Sequence, residues 1–155
     1  MIATNASKTR TLRLILGDQL NPLHSWFTAV DDSVIYVLME LRQETDYVLH
    51  HAQKILAIFA GMRDFAAQLE AAGHRVHYIT IDDTANMPTI TDNLSALMSH
   101  YQATAFEYQA PDEWRLDVQL ADFAKSLKIS SQMVDSEHFF TTRDEVAVLF
   151  GERKK

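Results

Sequence analysis

The chain has 155 residues, no cysteine and a formal net charge of −7 with its histidines neutral. That length is one ordinary domain, and the missing cysteines exclude a disulfide framework, a thiol nucleophile, a Cys-ligated zinc and an iron–sulfur cluster within these residues. The acidic balance makes a poor binder of duplex DNA, whose affinity leans on neutralising phosphates with Lys and Arg.

In chain order, Leu12 to Leu16 is a short apolar run stopped by Gly17, which predicts a buried strand. The connection that follows shows only weak helical signal, around Leu23 to Val30. Val34 to Met39 predicts a second strand, and its nearly unbroken hydrophobicity suits a parallel strand covered on both faces. Val48, Ala52, Ile55, Phe59, Met62, Ala66 and Leu69 step by fours and threes, so one long helix would carry them as a stripe. Gly73 ends that helix. Val76 to Ile81 predicts a third strand stopped by Asp82-Asp83, Thr89 to Tyr101 a weaker helix after Pro88, and Ala105 to Tyr108 a fourth strand. Pro111-Asp112 opens a helix with Leu116, Leu120 and Phe123 on one face, and Gln132 to Val134 reads as a fifth strand. Thr142-Arg143-Asp144-Glu145 has capping-box spacing before Val146 to Phe150. Strands alternating with helices imply parallel βαβ units with right-handed crossovers. The expected fold is α/β, a Rossmann-like doubly wound open sheet of about five parallel strands.

Hydrophobic residues make up 47% of the chain, enough for a core, and the mean hydropathy is −0.14. No apolar run approaches the roughly 20 residues that span a bilayer. The polar stretch Met1 to Arg10 has no apolar signal core. A cytoplasmic protein with no membrane partner is expected, with residues 1–11 as a flexible tail and 12–155 as the domain. Arg153-Lys154-Lys155 reads as a solvated tail or the start of a linker.

Open α/β sheets bind ligands beyond the carboxyl ends of their strands, so the residues just after each strand are the candidates. Gly17, Asp18 and Gln19 follow the first strand; Asp18 and Gln19 suit the amide edge of a heterocycle, or simply form a turn into the next segment. Glu40 and Glu44 follow the second strand. Either they accept from ring or sugar hydroxyls, or they pair with Arg42 and place acidic charge in a helix's first turn. Tyr47, His51, Lys54 and Ile58 fall on one helical stripe that suits the flat side of a ring system, or the boundary between core and solvent. His50-His51 is a poor chelating pair, because adjacent helical residues point apart. Trp114 is expected to pack over the sheet end, and Glu107, inside a strand, needs a partner such as Arg115. Neither G-x-G-x-x-G, G-x-x-x-x-G-K-[ST], H-E-x-x-H nor G-x-S-x-G occurs, and no acid–base pair or catalytic triad is identifiable.

Several motifs in order resemble one family. Leu14-Ile15-Leu16-Gly17-Asp18-Gln19-Leu20 is similar to the opening strand and loop of the deoxyribodipyrimidine photolyase-related proteins, the iron–sulfur bacterial cryptochromes and prokaryotic (6-4) photolyases. Glu44 to His51 with Lys54-Ile55 resembles that family's E-x-x-Y-V-x-H-H-x-x-K-I pattern. Met62-Arg63-Asp64-Phe65-Ala66, Gly73 to Tyr78, Ile81-Asp82-Asp83, Glu113-Trp114-Arg115 and, more loosely, His138-Phe139-Phe140 continue in order, so the likeness runs from about residue 12 to 153. Tyr108 to Asp112 departs from the T-E-P-G more usual before E-W-R.

The resemblance implies an N-terminal domain holding an antenna chromophore, commonly 6,7-dimethyl-8-ribityllumazine. It also implies a separate helical C-terminal part with FAD and a four-cysteine iron–sulfur cluster, absent from these residues, through which damaged DNA would be repaired or blue light sensed. By the same resemblance Asp18, Gln19, Glu44, Tyr47 and Ile58 line the pigment, with Gly17 and Glu40 as weaker candidates, and no residue here is catalytic. Two other readings stay open. One is a nucleotide-handling α/β enzyme with Asp18 or Glu44 as base, against which the absent phosphate loop counts. The other is a docking half-module with an empty pocket, which a large exposed apolar patch would favour.

Overall fold

The computed structural model describes residues 10–46 and 51–151. Its elements alternate as expected: β1 (Thr11–Leu14), a short 3-10 turn (Ser25–Phe27), β2 (Val34–Met39), α1 (Arg42–Asp46), α2 (Ala52–Ala71), β3 (Val76–Ile79), α3 (Ile90–Tyr101), β4 (Ala105–Gln109), α4 (Trp114–Ser126), β5 (Ser130–Val134) and α5 (Arg143–Phe150). The five strands form one all-parallel sheet in the order β3-β2-β1-β4-β5. This is the expected doubly wound, Rossmann-like arrangement. Among the described residues no helix is long and apolar enough to cross a membrane.

Each face of the sheet has its own core. Ile15, Tyr36 and Leu38 pack with Trp26 of the 3-10 turn and with Met62, Phe65, Ala66 and Leu69 of α2. On the other face Leu12, Leu14, Val37 and Phe106 pack with Leu94, Leu97 and Met98 of α3 and Leu116 and Leu120 of α4. Double coverage explains why β2 is buried at every position. Burying a Leu or Phe side chain contributes about 1.5–3 kcal/mol relative to leaving it exposed, so these two layers dominate the stability.

Arg13 is a charge in the middle of the sheet, and the parallel register explains how it is tolerated. Arg13 stands opposite Glu107 and opposite Tyr36. Its Nε donates to Glu107 Oε2 at 2.8 Å, its Nη1 donates to the Tyr36 hydroxyl at 3.1 Å, and its guanidinium lies 5.0 Å from the centroid of the Trp26 ring. The partner expected for Glu107 was Arg115; the true one is Arg13, which strand pairing makes a neighbour although it is distant in sequence.

Several boundaries differ from the sequence reading. β1 begins at Thr11, which pairs with Val34 and Ala105, so the last residue of the expected tail already belongs to the sheet. Arg10 is also held, its Nη1 donating to Tyr101 O at 2.9 Å, and residues 1–9 lie outside the described residues. β3 stops at Ile79 rather than Ile81 because the Ile81 N–H leaves the ladder and donates to Glu40 Oε2 at 2.9 Å. The helix expected to carry Val48 through Leu69 starts only at Ala52. His51 has an extended backbone (φ −67, ψ 130) and caps α2, its side chain accepting from Gln53 N. Tyr47 through His50 lie outside the described residues.

Two helices end in the same hydrogen-bonded reversal. After α2, His74 N donates to Leu69 O and Gly73 N to Glu70 O, with Gly73 at φ +94. After α3, Ala103 N donates to Met98 O and Gln102 N to Ser99 O, but the left-handed position (φ 51) is filled by exposed Gln102. Glycine adopts that conformation without the Cβ cost. Gln102→Gly is therefore expected to stabilise the domain by about 0.5–1 kcal/mol, read as a higher melting temperature. An unchanged or lower melting temperature contradicts that reading of the α3 terminus.

Candidate functional site

A parallel sheet opens a crevice where neighbouring strands send their connections to opposite faces. In this order the reversal falls between β1 and β4. β1 leads through the 3-10 turn to β2, and β4 leads through α4 to β5. A cavity of about 380 Å³ lies at the carboxyl ends of β1 and β2, within the roughly 300–1,000 Å³ usual for sites of small organic ligands.

Its walls come from six places in the chain. Ile15, Leu16, Gly17 and Asp18 leave the end of β1; Met39 and Leu41 surround the end of β2; Glu44 and Thr45 belong to α1. Lys54, Ile55, Ile58, Phe59 and Met62 come from α2, Ile90 from the start of α3, and Glu113 and Leu116 from the start of α4. The floor is apolar and the polar groups are few, as in most small-molecule sites. The first half of α2 is mostly exposed, and Ile58 remains 37% exposed. Gly17 allows the first loop to press against this helix. A Cβ built there would sit 3.0 Å from Ile58 Cγ2 and 3.1 Å from Met62 Sδ.

Four of the seven residues singled out from the sequence thus meet in the cavity wall: Gly17, Asp18, Glu44 and Ile58. The Asp18 carboxyl is raised from its ordinary value, first by desolvation and then by the neighbouring charges of Asp112 and Glu113, while its own backbone hydrogen bond and His138 pull it down. Glu44 accepts from Arg115 Nη2 at 2.9 Å and Nη1 at 3.3 Å. The same guanidinium donates to Glu113 at 2.9 and 3.1 Å, so one arginine ties α1 to the start of α4 beside the cavity.

Gln19 and Glu40 do not line the cavity, and the chain itself uses their polar atoms. Gln19 is 1% exposed. Its Oε1 accepts from Leu16 N at 3.0 Å and its Nε2 donates to the carbonyls of Gln109 and Ala110 at 3.3 Å, stitching the first loop to the end of β4. Glu40 is fully buried at 0% exposure. It accepts from Arg63 Nε and Nη2 at 2.6 and 2.9 Å, from the Tyr78 hydroxyl at 2.7 Å and from Ile81 N at 2.9 Å. The partner offered for both glutamates was Arg42; Arg63 holds Glu40 and Arg115 holds Glu44.

Tyr47 lies outside the described residues. His51 precedes α2 with extended backbone, so it does not share a helical face with Lys54 and Ile58; among the described residues of that stripe, Lys54 and Ile58 line the cavity. Trp114 does not pack over the sheet end but is 78% exposed. Leu116 and Leu120 set the buried face of α4, and a residue two positions before Leu116 lies about 200° around the helix. Among the described residues, no group of three or more His, Asp or Glu side chains is arranged to hold a metal.

Most of the apolar lining was not singled out as site. Ile55, Phe59 and Met62 were read as core stripe, and Leu41, Ile90 and Leu116 carried no polar signal. The last three were nonetheless legible by place: Leu41 is the first apolar residue after β2, and Ile90 and Leu116 lie in the first turns of α3 and α4, which in this topology is the rim of the crevice.

Beside the site, the buried side-chain amide of Gln109 makes no hydrogen bond at either end among the described residues. A buried amide without protein partners costs about 1–3 kcal/mol. Gln109→Met, close in shape, is expected to leave stability unchanged or raise it by up to that amount in denaturant titration. A loss above ~1 kcal/mol would show that the amide is satisfied in solution.

Fold and cavity together define a parallel α/β domain with a ligand-sized cleft at its switch point and no phosphate-binding loop. The family model for deoxyribodipyrimidine photo-lyase-related proteins matches residues 13–155, and the chain belongs to that family. It is also 34% identical over 137 residues to a protein of Agrobacterium fabrum (strain C58) described as a (6-4) photolyase, an alignment covering 86% of this chain. The matched region spans only 27% of that relative's length.

Proposed function

We propose that this domain binds a light-harvesting antenna chromophore of the lumazine type, 6,7-dimethyl-8-ribityllumazine, and passes its excitation to a flavin held in a separate helical part of a photolyase- or cryptochrome-related assembly. The observation that carries the reading is the cavity itself: an apolar, ligand-sized cleft at the switch point, with Asp18 and Glu44 in its wall and no loop for phosphates. The residues present suit such a pigment. Ile55, Ile58, Phe59 and Met62 offer a surface for a flat ring, and the carboxylates of Asp18 and Glu44 accept from ring N–H or ribityl hydroxyls. The pigment supplies the absorption; the chain binds it, orients it and keeps water from its ring.

With no cysteine, these residues hold no iron–sulfur cluster. FAD, the cluster and any contact with damaged DNA are assigned to the helical part, where DNA photorepair or blue-light sensing would take place. A docking role is compatible with the antenna role, and one observation favours it. Trp114, Met133, Phe139, Phe140, Leu149 and Phe150 are exposed apolar residues of the chain's last third, and burying them against a partner would be favourable. They suit the apolar face of a helical partner.

Fluorescence titration of the purified chain with 6,7-dimethyl-8-ribityllumazine tests the antenna reading. Saturable quenching at one site is expected. A linear, non-saturating response up to millimolar pigment contradicts it.

A further inference from the structure

The polar part of the cavity wall is chemically one-sided. Asp18, Glu44 and Glu113 place three carboxylates there, against one cationic side chain, Lys54. Arg115 donates to both Glu44 and Glu113, so its charge serves to offset those two glutamates. Asp112 adds a fourth carboxylate close enough to act on Asp18. The loop after β1 has a single glycine at Gly17 and no run of glycines to turn backbone N–H groups toward an anion. Carboxylates accept strongly from hydroxyls, whereas a phosphate brings only acceptors and like charge.

We infer that the cavity selects an uncharged, hydroxyl-bearing ligand and rejects its phosphorylated counterpart, with Asp18 and Glu113 as the discriminating charges. The inference rests on the antenna reading, since it names the chemical class that the same cavity takes. Glu44 and Glu113 share the single charge of Arg115. Against Arg115 and Lys54, the carboxylates of Asp18, Glu44 and Glu113 leave the cavity wall net negative, and a phosphate on the ligand would meet that charge.

The test uses a matched pair, 6,7-dimethyl-8-ribityllumazine and its 5′-phosphate ester, titrated into the wild-type chain and into Asp18→Asn, Glu113→Gln and the double variant. Circular dichroism melts confirm that each variant is folded. The wild type is expected to bind the uncharged pigment at least tenfold more tightly than the phosphate. That gap should shrink in each single variant, nearly vanish in the double variant and narrow as salt is raised from about 50 to 500 mM. Equal affinity for the two pigments in wild type, or a gap unchanged in the double variant, overturns the inference and leaves the antenna reading standing. Failure of both pigments to bind wild type overturns the antenna reading, and the inference falls with it.

Discussion

Ile58→Trp is expected to abolish pigment binding while the domain stays folded. Ile58 sits where α2 meets the first loop, and its Cγ2 already stands at the contact limit of any side chain at Gly17. An indole in its place must occupy the cavity, because the loop cannot retreat without breaking the Gln19 bonds to the ends of β1 and β4. The substitution falls on the largely exposed first half of α2, so stability should change by no more than about 0.5 kcal/mol. Binding should fall by roughly 100-fold or more, the equivalent of about 2.7 kcal/mol. Isothermal titration and a thermal melt on the same sample separate the two quantities. A variant that melts normally and still binds at wild-type affinity places the ligand elsewhere.

The second large effect concerns stability. Glu40→Ala removes the one acceptor shared by Arg63, Tyr78 and Ile81 N, and leaves the Tyr78 hydroxyl and an amide in the protein without their partner. Breaking a buried, hydrogen-bonded charge network in this way costs about 3–5 kcal/mol when both charges are buried. Arg63 is more than half exposed and can be rehydrated, so about 2–4 kcal/mol is expected here. For a domain of this size that lowers the melting temperature by about 5–15 °C.

The pH dependence has a definite sign. Burial pushes the Glu40 carboxyl up, but the hydrogen bonds from Arg63, Tyr78 and Ile81 N and the Arg63 charge outweigh it and hold the carboxyl below its ordinary value of 4.5. A group with a depressed folded-state pKa contributes stability above its unfolded pKa and loses it as pH falls through the folded one. Wild type should therefore lose part of its stability below about pH 4.5, and Glu40→Gln should show a flatter acid limb. An acid limb identical in the two proteins would show that Glu40 is not the titrating group.

The alternation of strands and helices was legible because hydrophobic patterning is local: Val34 to Met39 announces a doubly covered strand, and Thr142 with Glu145 form the expected reciprocal cap. The place of the cavity was legible too, since topology alone directs attention to strand ends. What spacing could not separate was polar residues that face a ligand from polar residues that the chain uses for itself. Asp18 and Gln19 are adjacent, yet one lines the cavity and the other is spent on backbone carbonyls of β4. Glu40 and Glu44 look alike in sequence, yet Arg63 and Tyr78, from α2 and β3, consume the first. These partners lie 23 to 91 positions away, and only the folded register brings them together. The interruption before α2 was missed for a related reason. The apolar stripe from Val48 to Ala52 passes over position 51, but His51 has extended backbone and its side chain caps α2.

A pigment seated in the cleft between the first loop and α2 would be detected by methyl NMR of the Ile- and Met-labelled chain, titrated with 6,7-dimethyl-8-ribityllumazine. Saturable shifts, with one shared dissociation constant, are expected at Ile15, Ile55, Ile58 and Met62, which line the cavity, and none at Met87 or Met133, which do not. Shifts confined to Met87 or Met133, or no shift at saturating pigment, would contradict that placement.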